Sequence, residues 1–421
     1  MFVPPKLLRV LTFDLSYEFL RRVLVHVKDL VFLRYLSITQ WFEGLDHIAA
    51  NNPNLLTLVV SSNESQSGAP TVHLPSSVWE APRLRHLELG NTYLVDPPSM
   101  VKGNLQSLSC VVTPIHCRKE VYLKLPNIKK LKIFVKDDIE ASHTCGSYNN
   151  PIFLDDLDYL EKLEKLTVTV SVGRAVTLTE RSMFPSQLKK LSLSGTNLSE
   201  RDLMVIAKLP KLMVLKLKNA LHGTVWKLPM GGFTSLKFLL LEDIKLKQWE
   251  WVIYDDDKQW EWETCDVDNF PVLEHLVLRF CNHLEKIPLI FAGVYTLQSI
   301  VLEECCSSVV ASARWILKHR NYRLKLKILG TVYDESQSTD TDEPLDKILL
   351  QSFAENFLNW EAGSAQDIGD VEVRGIAKKN DIASLPIEEI LSIDVKANPE
   401  ADSVSAEEPP VSIFLRVSKS S

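Results

Sequence analysis

Residues 272–288 read "VLEHLVLRFCNHLEKIP". Leu273, Leu276 and Leu278 follow a Leu-x-x-Leu-x-Leu spacing, and Cys281, Leu284, Ile287 and Pro288 come after them. Read alone, Cys281 with His283 two places on is a candidate reactive or metal-binding pair. The rest of the chain changes that reading, because the same spacing recurs as "FLRYLSI", "RLRHLEL", "NIKKLKI", "KLEKLTV", "QLKKLSL", "KLMVLKL" and "TLQSIVL". The first anchors are Leu8, Leu33, Leu55, Leu84, Leu105, Ile128, Leu163, Leu188, Leu212, Leu236, Leu273 and Leu297.

All but two of the intervals fall within the roughly 20–29-residue period of leucine-rich repeats. The long ones hold insertions near 136–151 and 248–269. In a strand, alternate side chains point to opposite faces. Leu276 and Leu278 are therefore expected inward, with His275, Val277 and Arg279 outward. Burying one repeat's three anchors returns roughly 4–9 kcal/mol gross. Ordering some two dozen residues costs roughly 1–2 kcal/mol each, so no repeat folds alone and stacking must make the core continuous. The expected fold is α/β: a leucine-rich repeat solenoid of about twelve repeats over residues 1–330, curved, with a parallel β-sheet on its concave face. Residues 307–329 are expected to cap it with a helix and a last strand carrying Leu324, Leu326 and Ile328 inward. The chain starts almost directly on its first repeat, so something is expected to shield that end.

Cys281 and Cys305 stand eight residues after their anchors, as do Thr92 and Thr196. This is the turn position where small Asn, Cys or Thr side chains serve backbone groups, so Cys281 is expected to be structural. The seven cysteines are scattered, with no C-x-x-C pair, which suits reduced thiols in a cytoplasmic, and also nuclear, setting. No stretch approaches the length of a membrane span.

Charge is unevenly placed. The formal net charge is −7, yet residues 331–421 hold 19 Asp and Glu against 7 Lys and Arg. A mildly basic repeat region thus precedes an acidic tail, expected to be largely disordered, with a helix over 345–360 and an apolar run, "VSIFLRV", suited to adding an edge strand. On the concave face Lys130, Lys132, Lys165, Lys190, Lys216 and Lys218 form a basic strip, with His275, Val277 and Arg279 further along. The strip either keeps the exposed sheet soluble or suits an acidic partner, of which the chain's own tail is one candidate. In the second insertion "QWEW" occurs twice. Trp249 and Trp251, with Trp260 and Trp262, have the alternation of a β-hairpin that either forms a binding ridge or packs onto the next repeat.

Motifs for phosphate loops, dinucleotide binding, serine hydrolases, zinc hydrolases and EF-hands are missing from this sequence. No catalytic, cofactor or metal residue is assigned, and no cofactor is expected. His86 and His275 show no Ser or Cys partner in the sequence. A lysine-based strip poor in arginine and aromatics argues against a nucleic-acid binder, and nothing points to a membrane partner.

"LPSSVWEAPRLRHLEL", "FPSQLKKLSLSGTNLS" and "FPVLEHLVLRFCNHLEKIP" resemble the repeats of plant intracellular immune receptors, the NLR proteins, of the late-blight-resistance type of the nightshade family. The resemblance covers roughly residues 1–330. It implies a non-enzymatic protein–protein interaction module for effector sensing and autoinhibition in defence. Implied partners are a pathogen effector, a guarded host protein, or NLR domains in cis or in trans. The nucleotide-binding motifs of that family are missing, so nucleotide binding is not carried over, and a truncated receptor or adaptor is implied. The alternative is a substrate adaptor of a ubiquitin ligase, against which stands the lack of room for an F-box before Leu8.

Overall fold

The structure, a computed structural model, describes residues 8–14, 30–61, 70–136, 152–154, 156–171, 176–177, 184–229, 231–252, 269–319 and 324–330, and the backbone of 371–376 and 411–416. The helix expected over 345–360 and most of the first insertion lie outside the described residues. Two compact units divide the chain. One comprises Met1–Val60, Glu80–Arg83 and Asp334–Ser421, the other Ser61–Trp79 and Leu84–Tyr333. This grouping differs from a division at residue 330.

All twelve anchors are buried, and a local turn delivers each of several to its strand. The N–H groups of Ile128, Leu163, Leu188, Leu236, Leu273 and Leu297 each donate to the carbonyl three residues back.

In the first unit, strands β1 (Val10–Asp14), β2 (Tyr35–Ile38) and β3 (Thr57–Val60) run parallel. Leu11, Leu36 and Leu58 share one rung. The other edge of β1 pairs in parallel with Val411–Arg416, which pairs in turn with Val371–Ile376. The late apolar run therefore supplies a strand to the edge of the first repeat.

The second unit is built on strands β4 (His86–Leu89), β5 (Ser107–Val111), β6 (Lys130–Val135), β7 (Lys165–Val170), β8 (Lys190–Ser194), β9 (Val214–Lys218), β10 (Phe238–Glu242), β11 (His275–Arg279), β12 (Ser299–Glu303) and β13 (Lys325–Leu329). Each pairs in parallel with the next, one repeat on. From Leu166 through Leu191, Leu215, Leu239 and Leu276 to Ile300, a single rung of inward residues is buried throughout. A helix, Ser307–Lys318, packs beside β13, whose Leu326 and Ile328 are half-buried.

Register is locked at both strand ends. Before the strands, Gln106, Lys129, Glu164, Lys189, Met213, Lys237, Glu274 and Gln298 each donate an N–H to the preceding repeat's carbonyl. After them, Gly195, Asn219, Asp243, Phe280 and Glu304 adopt φ of 70°, 44°, 51°, 51° and 50°. Each donates an N–H to the next repeat at 2.8–2.9 Å. Gly195 is required there, because a Cβ would run into the Val170 carbonyl.

Behind the sheet lies an aromatic wall. Gln248–Val252 pairs in parallel with Val225–Pro229, setting Trp249 opposite Trp226. The rings of Trp249 and Trp226 meet edge-on at 5.5 Å, and Trp249 reaches Phe291 at 5.6 Å. Phe233 and Phe270 stack at 4.9 Å. The first arm of the expected hairpin is thus paired with the preceding repeat, and Trp249 is no exposed ridge residue. Alternation along the strand turns its ring inward among other aromatics, where burial is most favourable. The side chain of Trp251, and Trp260 and Trp262, lie outside the described residues.

His116 ties neighbouring turns together. Its Nε2 donates to the Val95 carbonyl at 2.7 Å, and its Nδ1 accepts from the Thr113 N–H at 3.1 Å. Burial lowers its pKa below the usual 6.5. The unfolded chain therefore binds more protons in acid, and stability falls as pH drops below 6.5 through the folded value.

Two outcomes follow for stability. Gly195→Ala lowers it by about 2 kcal/mol or more, through left-handed strain plus the clash, whereas Asn219→Gly stays within about 0.5 kcal/mol. Urea titrations of both variants check this. Separately, the melting temperature falls between pH 7.5 and pH 5, and His116→Gln, which keeps a donor and an acceptor but cannot be protonated, shows a shallower fall.

Candidate functional site

The outward face of the second unit is organised in columns, because parallel in-register pairing sets equivalent positions about 4.8 Å apart. The first column runs Ser107, Lys130, Lys165, Lys190, Val214, Phe238, His275, Ser299 and Lys325. Three lysines are therefore consecutive across β6, β7 and β8. The second column runs Ser109, Lys132, Thr167, Ser192, Lys216, Leu240, Val277, Val301 and Lys327. On β4 the first column continues to His86 and the second to Glu88, the one carboxylate in either column among the described strands. The Lys132 ammonium lies 4.7 Å from the Phe134 ring centroid and that of Lys216 5.8 Å from Phe238, which anchors both by cation–π attraction.

The third column has a different character. Lys218 lies 3.0 Å from Glu242, Arg279 lies 3.7 Å from Glu242, and Arg279 Nε is 2.8 Å from Glu303. Lys218 and Arg279 thus belong to an alternating ion-pair ladder, while Lys130, Lys132, Lys165, Lys190 and Lys216 stand in the first two columns. Val277, expected outward and accessible, is buried at 8% exposure. It sits on the outward face, but its rung neighbours Leu240 and Val301 close over it.

His86 and His275 do have partners, each a serine one repeat on. Their Nδ1 atoms lie 2.8 Å from Ser107 Oγ and Ser299 Oγ respectively. The sequence hid this because the partner is adjacent only through the register. Burial lowers both imidazole pKa values. Ser107 is itself buried, so the His86 pair reads as a cross-strand hydrogen bond rather than an activated nucleophile.

Cys281 is fully buried and donates to the carbonyls of Arg279 at 3.3 Å and Leu241 at 3.6 Å. Cys305 repeats the arrangement on Glu303 and Leu278, and Thr196 donates to Ala220. The hydrogen bond to Cys305, together with burial, holds the Cys281 thiol above its usual range. These side chains satisfy carbonyls where the chain leaves each strand.

Two features escaped the sequence. Phe280 occupies a left-handed position taken elsewhere by Gly195, Asn219 and Asp243, yet its ring is 44% exposed. A bulky residue in that conformation is an outlier, and aligning the strand ends would have revealed it. The second is a hollow of about 290 Å³ lined by Arg85, Asn104, Gln106, Asn127, Lys129 and Lys162, with Gly103. Its residues come from several repeats and have no linear signature. Among the described residues no cluster suits a metal ion, and no helix is long and apolar enough to cross a membrane.

No protein-family model matches the chain. Two putative late blight resistance protein homologs of Solanum demissum are similar. One is 34% identical over 294 residues, covering 68% of this chain and 20% of its own length. The other is 31% identical over 337 residues, covering 75% and 25%. The chain thus spans a fifth to a quarter of the length of these relatives. Among solved structures, an internalin from Listeria monocytogenes aligns with a TM-score of 0.29 at 11% identity, covering 75% of this chain and 70% of that one. A chain of the TLR13–ssRNA13 complex gives 0.28 at 18% identity, covering 73% and 51%. Buried anchors, one-strand-per-repeat parallel pairing and the two resistance-protein relatives agree: the repeat region of this chain belongs with the leucine-rich repeat region of the late-blight-resistance type of plant NLR protein.

Proposed function

We propose that the chain is a protein–protein interaction module of plant defence, which recognises an acidic surface of a partner through the lysine column on its concave face. The observation that carries this is the run Lys130–Lys165–Lys190 on adjacent strands, flanked by Lys132 and Lys216. Three ammonium groups in register concentrate positive charge on one face, which an acidic segment complements. By analogy with the relatives, the partner is a pathogen effector, a guarded host protein or another part of an NLR receptor, met in a cytoplasmic or nuclear setting. The role is non-enzymatic recognition.

The test uses the full chain and a fluorescent decapeptide of alternating Glu and Ser, read by anisotropy. Reversing Lys130, Lys165 and Lys190 to Glu weakens binding about tenfold or more, since three such charges contribute about 0.5 kcal/mol each or more. Reversing the exposed Lys208 and Lys211, which lie off that face, changes it less than twofold. Equal effects from the two sets would contradict the reading.

A further inference from the structure

The hollow beside the lysine column carries a more specific chemistry, and the inference drawn from it rests on the interaction reading above. Arg85, Gln106 and Lys129 each follow the first anchor of their repeat. They are tied side by side by backbone bonds, Gln106 N–H to the Arg85 carbonyl at 2.7 Å and Lys129 N–H to the Gln106 carbonyl at 2.8 Å. Their side chains therefore start from one short ladder. Lys162 enters from the next repeat. Its Nζ donates to Asn127 Oδ1 at 2.6 Å, and the Asn127 amide nitrogen donates to the Gly103 carbonyl at 2.7 Å. That chain of bonds fixes the position of Lys162 and uses one of its three protons.

Three cations and three side-chain amides thus line a space of about 290 Å³ that contains no acidic residue. The next position of the ladder is a carboxylate, Glu164, but it is engaged by Lys189 at 3.0 Å. Among the described residues no carboxylate forms an ion pair with Arg85 or Lys129. Cations held close together without counter-charge repel one another, and a ligand bringing a single carboxylate would leave most of that charge uncompensated. A phosphomonoester brings close to two negative charges and three acceptor oxygens. A guanidinium fork matches phosphate oxygens in pairs, and ammonium groups serve it as point charges. Lys129 also adjoins Lys130, the first lysine of the column, so a segment lying on the column has its end beside the hollow.

We propose that the hollow defined by Arg85, Lys129 and Lys162 binds a phosphorylated side chain of the partner, so that phosphorylation of an acidic segment strengthens its hold on this chain. No bond is made or broken; the site is a receptor for a dianion.

The experiment measures full-chain affinity for the Glu/Ser decapeptide with and without phosphate on its central serine, and for inorganic phosphate as competitor. The phosphorylated peptide is expected to bind at least tenfold tighter. Combining Arg85→Gln, Lys129→Gln and Lys162→Gln removes that advantage while leaving the unphosphorylated peptide within twofold of wild type. Single Lys162→Gln removes part of it, which guards against a misfolded triple variant, as does an unchanged melting temperature. Equal affinity of the two peptides, or an advantage that survives the triple variant, overturns the site. Inorganic phosphate binding as tightly as the phosphopeptide overturns the side-chain reading in favour of a free anion. The broader reading fails separately, if the unphosphorylated peptide ignores Lys130, Lys165 and Lys190.

Discussion

Register depends on one constraint: each repeat must place its inward leucines directly beside those of its neighbours. In the second unit, the rung from Leu166 to Ile300 does this without a break. A slip of one residue on any strand would turn its leucines to water and its lysines to the core. Backbone bonds before the strands, and left-handed turns after them, hold that register at both ends. Everything on the outward face inherits its position from this lock. Lys130, Lys165 and Lys190 form a column only because Leu131, Leu166 and Leu191 form one on the other side.

The same lock separates structural polar groups from recognition groups. Cys281, Cys305 and Thr196 serve carbonyls at the strand exits. Lys218, Glu242, Arg279 and Glu303 neutralise one another along the third column. Their value to stability is modest in partly exposed surroundings, but they orient their strand ends. The lysine strip differs in setting three lysines side by side on adjacent strands. It runs directly into an apolar group, Lys190 pairing with Val214 and Lys216 with Leu240.

Much of this was legible in the sequence because period and anchor spacing are local. The twelve anchors, the turn role of Cys281 and the outward lysines follow from counting residues. Features created by neighbours were not legible. Val277 alternates outward yet is covered by Leu240 and Val301. Trp249 alternates with Glu250 as a hairpin arm would, but pairs with the strand of Trp226, some two dozen residues earlier. The serines beside His86 and His275, and the hollow of Arg85, Lys129 and Lys162, likewise come from different repeats. Sequence distance conceals contacts that register creates.

The central claim is that the register sets three lysines side by side on adjacent strands. Disulfide trapping tests it most directly, since cysteines on neighbouring parallel strands fall within the roughly 4.4–6.8 Å Cα separation a disulfide needs, and cysteines two strands apart do not. Lys130→Cys with Lys165→Cys, and Lys165→Cys with Lys190→Cys, are predicted to crosslink under mild oxidation, while Lys130→Cys with Lys190→Cys stays reduced. Crosslinking of the 130–190 pair as readily as its neighbours, or failure of both adjacent pairs, would contradict the account.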